Sequence, residues 1–304
     1  MVAHRRKVLG KRIPFQVEGA HEVDHPGRAR GVELEPEGEK VLSRIEITTN
    51  TDGWEEVVKH FADQNEPVGV GSVKNLKLAR EAKELGAMFL VSPNYPKEAI
   101  DFAIGNEVPI MPTTFNFGEI KQAERDGLPD VKIFPAVADE VKAYLRAINQ
   151  PFRDEIKKLE EIGFRIIPKD SLEPGEQDKY RSVYSPDQFY QEYLGLKDLK
   201  PGDPYKGILI GYPNDGHSSG IDRLKELSVL AERTGIRTYA TGIPSEVNFT
   251  DIFKAGAYGA GISGMFNIDA IYDGDFEKVE FQIRTWMHSA IAARKACLVN
   301  EVVV

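Results

Sequence analysis

From residue 44 onward the chain alternates short apolar runs with longer segments whose apolar residues recur every three or four positions. "RIEITT" (44–49) predicts a strand and "WEEVVKHFAD" a helix carrying Trp54, Val57, Val58 and Phe61 on one face. "PVGVGSV" and "NLKLAREAKELG" repeat the pair, with Asn75 as the expected helix cap and Gly86 as its stop. "AMFLVSP" with "YPKEAIDFAIG", and "VPIMPTTF" with "FGEIKQAERDG", follow in the same order, and "VKIFPAV" ends the first run. The rhythm resumes with "GIDRLKELSVLAERTG", "IRTYATGI", "VNFTDIFKAG" and "AYGAGISGMF", and a helix over about 276–296 closes it. With "RIPFQV" (12–17) as a first strand the count reaches eight. Eight βα repeats predict a (β/α)8 barrel with its parallel sheet covered by helices. A doubly wound open sheet is the alternative, but the glycine-rich turn that usually opens one is absent. The first crossover, "VEGAHEVDHPGRARGVELEPEGEK", is too rich in Gly, Pro and charge for a good helix.

The boundaries follow from the rhythm. Residues 1–43 form an N-terminal segment that includes barrel strand 1, residues 44–137 and 217–304 form the barrel, and residues 138–216 form an insertion between strands 6 and 7. Six of the eleven tyrosines lie between Tyr180 and Tyr212. A long interruption with helical and strand-like patterns of its own is read as a lid, an oligomer surface or a small satellite core.

Composition narrows the field. At 304 residues, 41% hydrophobic and 29% charged, the chain is ordinary for a globular protein. A net charge of −9 argues against general nucleic-acid binding. No apolar run reaches the roughly 20 residues of a membrane span, and the basic N-terminus lacks the apolar centre of a signal peptide. The single cysteine, Cys297, allows no intrachain disulfide and suits a reducing, cytoplasmic setting. The six histidines are scattered, without the spacing of a one-helix zinc site, so neither metal nor cofactor is expected.

In a parallel barrel the chemistry sits at the C-terminal strand ends. The polar groups there are Glu46, Ser72, Ser92, Thr113, Lys132, Thr241 and Ser263. Only Glu46 and Lys132 are ionisable within otherwise apolar strands. Burying either alone is costly or forces neutralisation, and a neutral amine attacks carbonyls. A carboxylate beside it can shuttle protons. A purely structural Lys–Glu pair is the competing reading.

The ordered set "IEIT", "GVGSV", "AMFLVSP", "VKIFPA" and "YATGI" resembles the 2-keto-3-deoxy-6-phosphogluconate aldolase family, which includes 4-hydroxy-2-oxoglutarate aldolases. The resemblance covers about residues 44–137 and 218–267. It implies a metal-independent class I aldolase, usually trimeric, acting on a small 2-oxo acid or related, possibly phosphorylated, carbonyl compound. Lys132 would form the Schiff base and Glu46 would be the general acid/base. Ser72 stands where the family has a carboxylate-contacting threonine. Pro93 and Phe134 resemble pocket walls, and Thr241, Gly242 and Ser263 resemble the oxygen-binding ends of strands 7 and 8; Thr113 ends strand 5. Two positions depart from the pattern: Asn50 replaces the arginine of E-x-T-x-R, and Ile243 replaces the second glycine of T-G-G. Arg181, His217 at its edge or another group from the insertion is the expected substitute for the lost charge. Two readings remain beside the aldolase: a barrel isomerase, decarboxylase or hydratase using the same pair without an imine, and a non-catalytic barrel.

Overall fold

The computed structural model describes residues 15–19, 32–34, 41–136, 148–196, 207–210, 220–242, 248–262 and 276–301. The strands are β1 (Phe15–Gly19), β2 (Val32–Leu34), β3 (Val41–Thr48), β4 (Val68–Gly71), β5 (Phe89–Val91), β6 (Ile110–Met111), β7 (Thr113–Thr114) and β8 (Asp130–Ile133), then β9 (Arg165–Pro168), β10 (Arg181–Val183), β11 (Gly207–Ile210), β12 (Arg237–Ala240) and β13 (Gly259–Ile262). The helices are α1 (Trp54–Asp63), α2 (Leu76–Glu84), α3 (Lys97–Gly105), α4 (Phe117–Arg125), α5 (Arg153–Glu161), α6 (Pro174–Gln177), α7 (Pro186–Leu196), α8 (Gly220–Arg233), α9 (Phe249–Lys254) and α10 (Phe276–Glu301).

The main sheet runs β6-β5-β4-β3-β1-β13-β12-β8-β7, with β2 added beside β3. Its two ends are one stretch of chain. Met111 pairs with Val91 of β5, Thr113 pairs with Lys132 of β8, and only Pro112 lies between. Proline has no N–H to give a ladder, so the strand splits there; its carbonyl still accepts the Lys132 N–H at 2.9 Å. The sheet therefore closes on itself, and β3 through β8, β12 and β13 run parallel.

The first strand departs from the expectation of eight parallel units. β1 lies antiparallel to both β3 and β13, and its described residues, 15–19, run two beyond the expected end at 17. A parallel neighbour requires a crossover, usually a helix, and the Gly-, Pro- and charge-rich sequence after β1 has no apolar stripe to make one. An antiparallel strand needs none, and β2 pairs with β3 in the same antiparallel sense.

Alternation sorts the side chains of the parallel strands. Ile45, Ile47, Val68, Val70, Leu90, Val131, Ile133, Ala240 and Ala260 pack in one core with the helices outside. Val58, Ala79, Ala82, Ile100, Ala103, Ile120 and Leu224 supply its helical half. Successive strand residues point to opposite faces, so Glu46, Gly69, Gly71, Lys132 and Tyr239 face the interior. Asn75, Asn116 and Asn248 cap α2, α4 and α9, accepting the N–H of Leu78, Glu119 and Asp251 at 3.0 Å each. Gly86, at φ 92°, follows α2 as its stop.

Between β8 and β12 the chain builds a second sheet of three parallel strands, ordered β10-β11-β9. Its core gathers Phe152, Phe189, Val183, Ile208 and Ile210, and includes Phe115 from the end of β7.

Candidate active site

At the N-terminal end of the interior, the Arg237 guanidinium grips the Asp130 carboxylate in two bonds of 2.6 and 2.7 Å. Arg44 lies over the Phe89 ring at 5.7 Å. Higher in the interior stand Glu46 and Lys132, on adjacent inward positions relative to Arg44 and Asp130. Lys132 is in register with Thr113 on one side and Tyr239 on the other. Its ammonium lies 5.2 Å from the centre of the Phe134 ring.

Glu46 is 7% exposed. Burial pushes its carboxyl above the usual carboxylate range, and attraction to Lys132 partly offsets the rise. Lys132, near the open end of its strand, is half-buried. The room for the Glu46 carboxyl comes from β4. A Cβ on Gly71 would lie 1.8 Å from Glu46 Oε1, and one on Gly69 would lie 2.2 Å from the Phe89 ring. Two glycines thus let an acid and an aromatic ring share the narrow interior.

The other residues singled out in the sequence are spread around this pair. Ser72 holds φ 58°, a strained value for a serine, and its carbonyl accepts the Thr49 hydroxyl at 3.0 Å. Pro93 is buried in the loop after β5. Thr113 is buried and donates to the Ser92 carbonyl at 2.6 Å. Thr241 ties the ends of β8 and β12: its N–H and hydroxyl both reach the Ile133 carbonyl, at 3.1 and 3.2 Å. Gly242 has φ 68°, and a Cβ there would stand 2.5 Å from the Phe134 ring, so glycine is required on both counts. Ser263, His217 and Ile243 lie outside the described residues.

Two expectations about the lost charge take a different form. Asn50 donates its amide to the Gln150 carbonyl at 2.9 Å. Arg181 pairs with Glu192 at 2.7 Å within the second sheet and its helix, so its charge already has a local counter-ion. The tyrosines also divide. Tyr180, Tyr190 and Tyr193 are buried, the last two in the second core, as a satellite core requires. Tyr184 takes a hydrogen bond from Lys169 at 2.8 Å, and Tyr205 and Tyr212 lie outside the described residues.

The second sheet is joined to the loops that follow the barrel strands. Asn50 follows β3, and Lys74 and Asn75 follow β4. Asn94 and Tyr95 follow β5, and Phe115 follows β7. Lys74 binds Glu155 at 2.8 and 2.9 Å. Asn75 donates to the Tyr190 hydroxyl at 3.2 Å, and the Tyr95 N–H approaches Asp187 at 3.4 Å. Glu119 accepts the Phe115 N–H, and its half-buried carboxyl is pushed up to about 7, chiefly by burial and also by nearby Asp187. Sequence reasoning missed Lys74 and Glu119, because each reads as an ordinary polar residue near a helix start. Among the described residues, no group of three His, Cys, Asp or Glu could hold a metal ion, and no helix is long and apolar enough to cross a membrane.

Residues 36–182 fit the family model "KDPG and KHG aldolase". Over that stretch, just under half of the chain, the sequence is similar to the KDPG and KHG aldolase family. It is 31% identical over 115 residues to a 2-dehydro-3-deoxy-phosphogluconate aldolase of Pseudomonas aeruginosa, covering 37% of this chain and 52% of that protein. It is 26% identical over 156 residues to a KHG/KDPG aldolase of Escherichia coli K12, covering 44% and 73%. The chain thus spans about half the length of the Pseudomonas relative. A solved structure described as native KDPGal aligns with 85% of this chain and 82% of its own, at 16% identity and a TM-score of 0.44. The family match ends inside the second sheet, whereas the place beside β8 in the barrel belongs to β12.

Proposed function

We propose that this chain is a metal-independent class I aldolase that cleaves a 2-oxo acid or related carbonyl compound through a Schiff base on Lys132. The observation that carries the reading is Lys132 in one barrel interior with Glu46, a buried acid that burial holds above its ordinary range and that the lysine's charge pulls partly back. The neutral Lys132 amine adds to the substrate ketone to give a carbinolamine. Glu46, protonated at higher pH than an exposed carboxyl, donates a proton to the departing hydroxyl, and water leaves as the iminium forms. The iminium draws the electrons of the breaking carbon–carbon bond, while Glu46, now ionised, takes the proton of the substrate hydroxyl. The aldehyde leaves, the enamine is protonated, and water releases the 2-oxo product from Lys132. The imine supplies the electron sink, so the sequence of steps needs no Lewis acid.

Ser72, Pro93, Phe134, Thr113, Thr241, Gly242 and Ser263 make up the substrate surround in this reading. Residues 138–216 act as an inserted subdomain between strands 6 and 7. Its contacts with the loops after β3, β4, β5 and β7 support a cover over the strand ends. The reading carries with it a cytoplasmic homotrimer acting on a small molecule.

Release of pyruvate from 2-dehydro-3-deoxy-phosphogluconate, the compound named for the relatives, tests the substrate class. Turnover by the wild-type chain that survives a chelator and disappears in Lys132→Met is expected. Turnover that persists in Lys132→Met would defeat the mechanism.

A further inference from the structure

Lys74 stands two residues beyond Ser72 in the loop after β4, and it is only 8% exposed. Its ammonium has three acceptors, all from one stretch of the second unit. They are the Pro151 carbonyl at 3.1 Å and the two Glu155 carboxylate oxygens at 2.8 and 2.9 Å. The charge also lies 5.7 Å from the Phe152 ring centre. Asn50, after β3, holds the carbonyl next to it, Gln150, at 2.9 Å. Two successive carbonyls are therefore held by the loops of two neighbouring strands. Asn75 adds a third link, from the cap of α2 to the Tyr190 hydroxyl.

A buried ammonium is tolerated only when it is fully paired, and removing one partner leaves the other charge uncompensated. A lysine at the open end of a barrel strand would ordinarily extend its head to water. Here the head turns inward under the second unit, and the same short loop carries Ser72 in a strained backbone conformation. The loop, the unit above it and the Asn50 turn form one mechanical assembly around the strand ends.

We infer that Lys74 is a positioning residue of the Lys132 site: by binding Pro151 and Glu155 it seats residues 148–196 on the barrel and so fixes where Ser72 and Asn50 stand. This role rests on the aldolase reading above. Lys74 touches no reacting atom, so it should govern how readily a ligand is held more than how fast Lys132 reacts once the ligand is bound.

The test compares wild type, Lys74→Met, Glu155→Leu and the double variant, each as the full chain. Pyruvate is the probe, trapped on Lys132 with borohydride. Amide hydrogen exchange across 148–161 is followed without ligand. Lys74→Met is expected to raise the pyruvate concentration for half-maximal trapping at least tenfold, with the maximal trapping rate within about threefold of wild type. Exchange over 148–161 should rise with it while the β4 and β8 amides stay protected. The double variant removes both charges and should recover most of both effects, which a direct contact of Lys74 with pyruvate would not allow. If a single variant fails to fold, the double variant carries the comparison. Unchanged half-saturation in Lys74→Met overturns the positioning role and leaves the aldolase reading intact. So does a double variant with restored exchange but a persisting binding defect. Absence of trapping in the wild-type chain overturns the aldolase reading and the positioning role together.

Discussion

Gly71→Ala should damage catalysis out of proportion to its effect on stability. The new Cβ would lie 1.8 Å from Glu46 Oε1, 2.7 Å from its Cδ and 2.9 Å from its Cγ. Ordinary contact begins near 3.4 Å, so the carboxyl must retreat by about 1.6 Å, the difference of the two distances. Overpacking of this kind costs about 1–3 kcal/mol of stability. A misplacement of about 1 Å in a catalytic group can cost roughly a hundredfold in rate, or about 2.7 kcal/mol of activation free energy. Gly69→Ala is the control. It strikes the Phe89 ring at 2.2 Å, one inward position lower on the same strand, and its three nearest neighbours are all atoms of that ring. Chemical denaturation gives the stability of each variant, and saturating turnover, corrected for the folded fraction, gives the rate. Both variants should lose comparable stability, but only Gly71→Ala should lose about two orders of magnitude in kcat. Equal loss of kcat in both would show that the barrel as a whole was distorted, and would refute the claim that Gly71 makes room for a working acid.

Glu46→Gln should lower kcat by about two to four orders of magnitude, the range for a positioned acid/base, with KM changing far less; single-turnover kinetics would separate the two. Glu119→Gln should stabilise the protein at neutral pH but not at pH 4. The Glu119 carboxyl is raised from 4.5 to about 7 in the folded state, so its favourable contribution is present below pH 4.5 and is lost as pH rises through 7. The variant should therefore gain progressively, to about 2–3 kcal/mol above pH 7, in urea melts across that range. A constant difference from pH 4 to pH 8 would count against it. Asp130→Asn should destabilise the barrel, because it leaves Arg237 with one neutral acceptor where two charged bonds stood. The cost should be about 1–3 kcal/mol in the same melts, with kcat preserved.

Period and charge made much of this legible in the sequence. Short apolar runs between segments of helical period placed β3, β4, β5, β8, β12 and β13, because a strand covered by helices must be largely apolar. Glu46 and Lys132 stood out because a charge in such a strand has few places to go. The Asn75 cap was readable from local chemistry, since the amide acts within three residues. What was not readable depended on distant partners or on direction. The pattern of β1 is the same whichever way it runs, and only pairing with β3 and β13 decides it. Lys74 finds Glu155 across 81 residues of chain, with nothing local to mark either one. Arg181 looked available for an anionic substrate because Glu192 lies eleven residues on, beyond the reach of pattern reasoning.

The central claim is a covalent bond between Lys132 and the substrate carbonyl. Incubating the chain with pyruvate and sodium borohydride, followed by intact-mass measurement and peptide mapping, tests it most directly. The account predicts one reduced pyruvate adduct per chain, located on Lys132, absent without pyruvate and absent in Lys132→Met. An unmodified chain, or an adduct spread over surface lysines that persists in Lys132→Met, would contradict it.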